Sequence, residues 1–194
     1  MIALPEDRPI VVALCGPNGA GKSTFYEAFL APAGLRFVNA DEIARELEID
    51  AYAAAAIAAK IRNELITRRE SFVFETVLSD PIGEKVADMA EWQAKGHTVV
   101  MCFIGLSAAA LSDARVSMRV SQGGHDVPLD KIKGRFPRTL ENLKRGIDSL
   151  EHVLVYDNSD LRFPYRLLAR FEAGKAIHLE SDLPSWFKRL QQAR

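Results

Sequence analysis

The segment from Gly16 to Thr24 constrains this chain more than any other feature. Its sequence, GPNGAGKST, contains the pattern G-x-x-x-x-G-K-[ST], which is typical of a phosphate-binding loop. An apolar run rich in β-branched residues precedes it at 10–15, and a helical stretch follows it at 23–30. We expect the backbone N–H groups of this loop to face one concavity at the positive end of the helix and to bind phosphate oxygens there.

The loop residues are therefore predicted to contact a nucleotide, ATP or GTP, and two of them have distinct roles. Lys22 supplies a mobile cation for the β- and γ-phosphates, and the hydroxyl of Ser23 is placed to ligate Mg²⁺. The predicted nucleotide contacts are Gly16, Pro17, Asn18, Gly19, Ala20, Gly21, Lys22, Ser23 and Thr24. The alternative is a glycine-rich turn between a strand and a helix that binds no ligand.

The composition restricts the class of protein and its partners. A chain of 194 residues, 48% of them hydrophobic, fits a single domain over residues 1–194 with a sizeable core. Its net charge of -1 argues against nucleic acid as a partner. Cys15 and Cys102 lie in apolar runs and indicate buried thiols in a reducing compartment. We find neither a signal peptide nor an apolar run of ~20 residues, so we expect a cytoplasmic protein without a membrane partner.

Strand-like and helix-like segments alternate along the chain, which predicts an α/β fold. We expect a P-loop NTPase of the kinase type, with a parallel sheet of about five strands and helices on both faces. One helix is predicted to begin at Pro81. The glycine pair Gly123–Gly124 separates two basic helices and predicts a helical lid over about residues 112–140. Two strands within Tyr165–Leu179 predict a small C-terminal β-hairpin, and a last helix follows Pro184.

Three unrelated classes of protein share such a loop: motor-like or transporter ATPases, GTPase switches and small-molecule kinases. The second signature of ABC-type ATPases and the guanine-reading Asn-Lys-x-Asp segment of GTPases are both absent from the sequence. The glycines at 16, 19 and 21 read G-x-x-G-x-G, which does not match the dinucleotide-binding spacing G-x-G-x-x-G. A kinase needs an acid near the acceptor hydroxyl and arginines over the phosphates. This chain offers both, so a kinase is favoured.

Acidic residues follow two predicted strands at the edge of the sheet where the phosphate-binding loop lies. Asp41 can accept the proton of a substrate hydroxyl as it attacks the γ-phosphate; the alternative is that it only caps the helix beginning at Glu42. Glu75 can hold a water of the Mg²⁺ shell or a substrate hydroxyl, and Thr76 adds a hydroxyl beside it. The alternative for Glu75 is hydrogen bonding to neighbouring loop amides.

Arginines of the predicted lid are candidates for binding the transferring phosphoryl group, because a planar guanidinium binds phosphate oxygens in pairs. Arg115 and Arg119 share a helix face before the glycine pair, and Arg135 and Arg138 follow it. We prefer Arg119 and Arg135; the alternative is that all four face solvent. Asn158, after the fifth predicted strand, is a candidate contact to the adenine, although Asp157-Asn158-Ser159 also fits an ordinary turn.

Several segments together resemble the zeta-toxin-like P-loop kinases, and in particular the bacterial branch of predicted ABC-type ATPases or kinases. These segments are GPNGAGKST at 16–24, Asn39–Ala44, Phe74–Thr76, Gly123–Pro128 and Tyr156–Ser159. The resemblance extends from about Pro9 to Asn158. Zeta toxins phosphorylate the 3′-hydroxyl of the sugar in UDP-N-acetylglucosamine with ATP or GTP.

The resemblance implies a general base at Asp41, phosphate and Mg²⁺ contacts at Lys22 and Ser23, a sugar contact at Glu75 and a lid arginine at Arg119. It makes UDP-N-acetylglucosamine the first candidate acceptor. The lid spacing departs from that of the toxins and the acceptor pocket matches only loosely, so a free sugar, a nucleoside or a nucleic-acid end stays open. The alternative from another class is a nucleotide-binding switch with little turnover, whose partner would be an antitoxin protein.

Overall fold

The computed structural model describes residues 4–121 and 128–192, with the backbone alone at 119–121. Its strands are β1 (Ile10–Cys15), β2 (Arg36–Val38), β3 (Phe72–Thr76), β4 (Thr98–Gly105), β5 (His152–Asp157), β6 (Arg166–Glu172) and β7 (Lys175–Leu179). In the described residues they form one sheet in the order β2-β3-β1-β4-β5-β6-β7. The first five strands are parallel, and β6 and β7 are antiparallel additions.

The α-helices connect the parallel strands and follow the last strand. They are α1 (Lys22–Phe25), α2 (Ala40–Leu47), α3 (Ala51–Thr67), α4 (Glu84–Ala94), α5 (Ala109–Ser121), α6 (Leu129–Ser149) and α7 (Ser185–Gln192). The chain continues from α1 as a π-helical segment, Tyr26–Leu30. The helical stretch predicted over 23–30 is therefore present, with π-helical geometry in its second half. None of the helices in the described residues is long and apolar enough to span a bilayer.

Helices cover both faces of the sheet because the central strands are apolar at every position, and successive side chains point to opposite faces. In β1, residues 11, 13 and 15 belong to the core beneath α3, α4, α6 and α7, whereas residues 10, 12 and 14 belong to the core beneath α1 and the π-helical segment. All six residues of β1 are fully buried. This two-sided core confirms the predicted α/β architecture and fixes the carboxyl end of β1, where the phosphate-binding loop begins.

Two details of the prediction need correction. The predicted C-terminal hairpin is present as β6 and β7, but β6 also pairs with β5, so the sheet has seven strands rather than about five. Apolar side chains of β6 enter the core, as Leu168 and Phe171 are buried, and this burial ties the hairpin to the sheet. The helix after β3 begins at Glu84 rather than Pro81, because the Asp80 carboxylate accepts a hydrogen bond from the Glu84 N–H at 2.6 Å.

Candidate active site

The carboxyl ends of β1, β2 and β3 meet at one edge of the sheet, and each leads into residues predicted to be functional. β1 leads into the phosphate-binding loop, β2 is followed by Asn39 and Asp41, and β3 ends in Glu75 and Thr76. One cavity of about 660 Å³ opens between them. Its lining includes Asn18, Asn39, Asp41, Glu75, Thr76 and Arg135. The structure therefore brings most of the predicted acceptor residues into one space beside the loop.

The phosphate-binding loop needs glycine at two of its turns. Gly16 has a φ of 144°, and a Cβ there would collide with the carbonyl oxygen of Ile104 in β4. Gly21 has a φ of 85° directly before α1, and a Cβ there would lie 2.7 Å from the hydroxyl of Tyr165. The loop lies so close to β4 and Tyr165 that only glycine fits at these two turns.

Two side chains beyond β5 hold the loop in place. The Asn158 Nδ2 donates a hydrogen bond to the carbonyl of Ala20 at 2.9 Å, and the Tyr165 hydroxyl donates to the carbonyl of Gly21, also at 2.9 Å. Asn158 is 4% exposed, so its amide is committed to this support. The adenine contact proposed for Asn158 stays a prediction, and Tyr165 is a supporting residue that the sequence did not reveal.

Glu75 is the centre of a polar cluster. Its Oε1 lies 3.5 Å from Lys22 Nζ, while its Oε2 accepts hydrogen bonds from the Ser23 hydroxyl at 3.0 Å and from Asn39 Nδ2 at 3.3 Å. Lys22 also donates to the carbonyl of Pro17 at 3.2 Å. The side chains of Lys22 and Glu75 are only 6% and 12% exposed, so their attraction is weakly screened. The cluster links the loop, β2 and β3.

Asp41 lies in the first turn of α2, but Asn39 caps that helix. The Asn39 Oδ1 accepts a hydrogen bond from the Asp41 N–H at 2.8 Å. The alternative prediction, in which Asp41 serves only as the cap, is therefore wrong. Asp41 is exposed on the cavity, and its carboxylate has no hydrogen bond or ion pair within residues 4–121 and 128–192. A carboxylate free in this way can accept a proton from a hydroxyl.

The predicted lid arginines lie in different surroundings. Arg135, on α6, is partly buried and lines the cavity. Arg138 is exposed and donates to the carbonyl of Gly134 one turn earlier, at 3.0 Å, as an ordinary surface side chain does. The side chain of Arg119 and the glycine pair at 123–124 lie outside the described residues, so the predictions for them stay predictions.

Helix α5 lies directly over the phosphate-binding loop. Its Ser112 hydroxyl donates a short hydrogen bond to the carbonyl of Asn18. The Arg115 guanidinium donates to the carbonyl of Ser159 at 3.4 Å, and its Cβ lies 3.1 Å from the position that a Cβ on Gly19 would take. Arg115 is thus the described lid arginine that packs against the loop, although the sequence gave Arg119 preference.

One wall of the cavity comes from α3, which the sequence presents as an alanine-rich helix. Ala51, Ala55, Ala58 and Ala59 line the cavity, because their spacing puts them on one helix face. Arg62 continues this face, and its Cζ lies 5.2 Å from the centroid of the Phe74 ring in β3. The signal in the sequence was a stripe of small side chains that ends in an arginine.

Comparison with known proteins places the chain in a family. The model of an AAA domain family (AAA_33) matches residues 11–134, a span that includes the phosphate-binding loop, Asp41 and Glu75. The chain belongs to this family. An uncharacterized protein of Haemophilus influenzae is 28% identical over 130 residues, which cover 63% of this chain and 89% of the relative.

Solved structures show the same fold. The AvrRxo1-ORF1:AvrRxo1-ORF2 complex with sulphate ions matches with a TM-score of 0.75 and 17% identity, over 95% of this chain and 64% of the other. The same pair with ATP gives a TM-score of 0.73. A structure from the PezAT toxin-antitoxin system of Streptococcus pneumoniae gives 0.60 and 16%, over 95% of this chain and 78% of the other. The fold is thus an α/β P-loop kinase fold, and this chain spans just under two thirds of the AvrRxo1 chain.

Proposed function

We propose that this protein is a kinase that transfers the γ-phosphate of ATP or GTP to a hydroxyl of a small molecule. One observation carries the proposal: the Asp41 carboxylate, unpaired among the described residues, lines the same cavity as Glu75, and Glu75 binds Lys22 and Ser23 of the phosphate-binding loop. A proton acceptor and a phosphate-binding loop thus lie on two sides of one space, as transfer from a nucleotide to a hydroxyl requires.

The residues at the loop fit a magnesium ion. The Ser23 hydroxyl and the Glu75 carboxylate lie within hydrogen-bonding distance, and they offer the oxygen ligands that Mg²⁺ prefers beside nucleotide phosphates. When bound, the ion would neutralise charge on the β- and γ-phosphates. Lys22, which is paired with Glu75 at 3.5 Å, would exchange this partner for phosphate oxygens as the nucleotide binds.

In the proposed transfer, Asp41 accepts a proton. The acceptor oxygen forms a bond to the γ-phosphorus, the bond from that phosphorus to the bridging oxygen of the β-phosphate breaks, and ADP leaves. The hydroxyl proton passes to the carboxylate of Asp41, a residue whose backbone N–H is held at the helix start by the Asn39 cap. Arg135 at the cavity and Arg119 are the candidates for binding the charge on the moving phosphoryl group.

We propose UDP-N-acetylglucosamine as the first acceptor to test. The support is the sequence resemblance to zeta toxins together with the structural similarity to a chain of the PezAT toxin-antitoxin system. Glu75 and Thr76, which line the cavity, would contact the sugar. A free sugar, a nucleoside or a nucleic-acid end are the other acceptors to include.

A second candidate function is a nucleotide-binding switch that works with an antitoxin protein and turns over little. One observation favours it: the similar structures come from the AvrRxo1-ORF1:AvrRxo1-ORF2 complex and from a toxin-antitoxin system. Such a protein would bind ATP tightly and transfer phosphate to none of the acceptors.

Phosphorus NMR of the purified protein with Mg²⁺ and ATP, with and without each acceptor, tests both functions. A new phosphomonoester signal with UDP-N-acetylglucosamine supports the kinase and its first acceptor. A signal with another acceptor keeps the kinase and changes the substrate. ATP binding without ADP or phosphomonoester favours the switch.

A further inference from the structure

The Arg62 guanidinium lines the cavity and forms no ion pair among the described residues, although Asp88 lines the same cavity. It is partly buried, and within residues 4–121 and 128–192 it takes part in no ion pair and no hydrogen bond. Its contact is with a ring, since its Cζ lies 5.2 Å from the Phe74 centroid. By contrast, Arg68 on the same helix is exposed and pairs with Glu64 at 2.7 Å. Arg62 therefore differs from the ordinary surface arginines of α3.

The partly buried surroundings of Arg62 disfavour its charged form. Burial lowers the pKa of Arg62, while attraction to Asp88 acts in the opposite direction without an ion pair between them. Asp88 is itself exposed, so water screens most of this attraction. A partly desolvated guanidinium is stabilised by an anion that can accept two parallel hydrogen bonds.

The cavity wall beside Arg62 consists of small side chains, although Ala58 also packs into the core. Ala55, Ala58 and Ala59 line the cavity on the same face of α3, and their short side chains take up little of its volume. Phe74 holds the guanidinium plane from the sheet side. A molecule that lies along the alanines would have an apolar contact over its body and a cation at its end.

We propose that Arg62 binds an anionic group, a phosphate or a carboxylate, on the acceptor molecule whose hydroxyl faces Asp41. The acceptor class is thus a small anionic alcohol, and neutral sugars and nucleosides are poor substrates. This inference rests on the proposed kinase function, because it takes the bound molecule to be the phosphate acceptor. Binding of an anion by Arg62 does not itself depend on turnover.

Anion binding is tested first without the reaction. In a Lys22→Ala background, which weakens the phosphate-binding loop as a competing site, inorganic pyrophosphate and malonate are titrated by calorimetry. Adding Arg62→Gln is expected to weaken the binding of at least one of the two anions by about tenfold or more, because a charge-assisted pair of hydrogen bonds is lost. Adding Arg68→Gln, the matched control, is expected to change it less than about twofold.

The outcomes separate the two anion classes and decide the proposal. If Arg62→Gln weakens the binding of pyrophosphate alone, the site binds phosphate. If it weakens the binding of malonate alone, the site binds carboxylate. Equal binding with and without Arg62→Gln, or no binding of either anion in the Lys22→Ala parent, overturns the proposal. Should Arg62→Gln fail to fold in a thermal melt, Arg62→Lys keeps the charge and the stem but lacks the forked donors, and it must still weaken binding by about threefold or more.

A second measurement connects the site to turnover. UDP-N-acetylglucosamine and N-acetylglucosamine share a sugar, and only the first carries a diphosphate. Arg62→Gln is expected to raise KM for the charged acceptor by about tenfold or more and to leave kcat/KM for the neutral one within about twofold. An equal loss of kcat/KM for the charged and the neutral acceptor contradicts the inference. If neither is phosphorylated, this acceptor fails while the calorimetric result still decides the role of Arg62.

Discussion

The Glu75 carboxylate lies 3.5 Å from the Lys22 ammonium group and accepts a hydrogen bond from the Ser23 hydroxyl at 3.0 Å. The two loop residues with the most specific predicted roles thus share one partner, which comes from the end of a different strand. The pairing orients the Lys22 side chain, and it places a carboxylate beside the two residues that would bind the phosphates and Mg²⁺.

Replacing Glu75 with glutamine tests this pairing. Glu75→Gln removes the negative charge but keeps the size of the side chain, so we expect phosphate transfer to fall on the order of 10²-fold and to need a higher Mg²⁺ concentration. Initial rates over a magnesium titration measure both effects. Glu70→Gln is the matched control, since Glu70 pairs loosely with Arg36 at 3.8 Å on the surface; equal loss in the two variants would contradict the role of Glu75.

Support of the loop by Asn158 gives a prediction about stability. Asn158→Ala removes the hydrogen bond to the Ala20 carbonyl and leaves a buried acceptor without its partner. The free energy of unfolding should therefore fall by about 1–3 kcal/mol, measured by urea denaturation. Asn63→Ala, at an exposed position of α3, should stay within about 0.5 kcal/mol of the unsubstituted protein. Similar values for both variants would show that Asn158 does not support the loop.

Asn39 has two separable contacts, because its Oδ1 caps α2 and its Nδ2 donates to Glu75. Asn39→Ala loses both contacts and should lower the free energy of unfolding by about 1 kcal/mol. Asn39→Ser keeps a capping oxygen and should lower it by only about a few tenths of a kcal/mol. Both variants lose the bond to Glu75, so both should transfer phosphate several-fold more slowly. Thermal melts beside rate measurements check this; a serine variant as unstable as the alanine variant would contradict the cap.

The buried His97 predicts sensitivity to acid. His97 is 3% exposed, and both ring nitrogens lack hydrogen-bond partners within the described residues. Burial is the main cause that lowers the pKa of His97 below its usual 6.5. The unfolded chain therefore binds the proton first, and stability begins to fall as the pH drops below about 6.5 until the folded protein is protonated as well.

Urea unfolding measured at several values between pH 8 and pH 5.5 checks the His97 prediction. His97→Leu should flatten the loss of stability over this window, because the titrating group is gone. His178→Gln is the control, since His178 is 45% exposed and lies 3.2 Å from Glu180. A wild-type slope that persists in His97→Leu would mean that other groups cause it.

The sequence predicted the parts of the site that local patterns encode. The loop follows from a fixed spacing of Gly16, Gly21 and Lys22, and the positions of Asp41 and Glu75 follow from the rule that parallel strands end at one edge. The cap by Asn39 could have been read from its preference for that position, but Asp41 two residues later fits the same preference. Local patterns therefore located the site more reliably than they assigned its contacts.

Contacts between distant segments could not be predicted in this way. The bond from Tyr165 to Gly21 joins residues 144 positions apart, and no spacing in the sequence points to it. The hairpin of β6 and β7 was predicted, but its pairing with β5 depends on which sheet edge has apolar space for Leu168. The alanine face of α3 became a cavity wall only once its packing against β3 was fixed.

The proposed transfer depends on Asp41 accepting the proton of the acceptor hydroxyl. The most direct measurement compares Asp41→Asn with Glu46→Gln, an exposed acid of the same helix, for ATP affinity by calorimetry and for phosphate transfer by phosphorus NMR. We expect Asp41→Asn to bind ATP within about twofold of the unsubstituted protein and to transfer phosphate at least about 10²-fold more slowly, while Glu46→Gln changes neither. Transfer at an undiminished rate by Asp41→Asn would contradict the role of Asp41 as the proton acceptor.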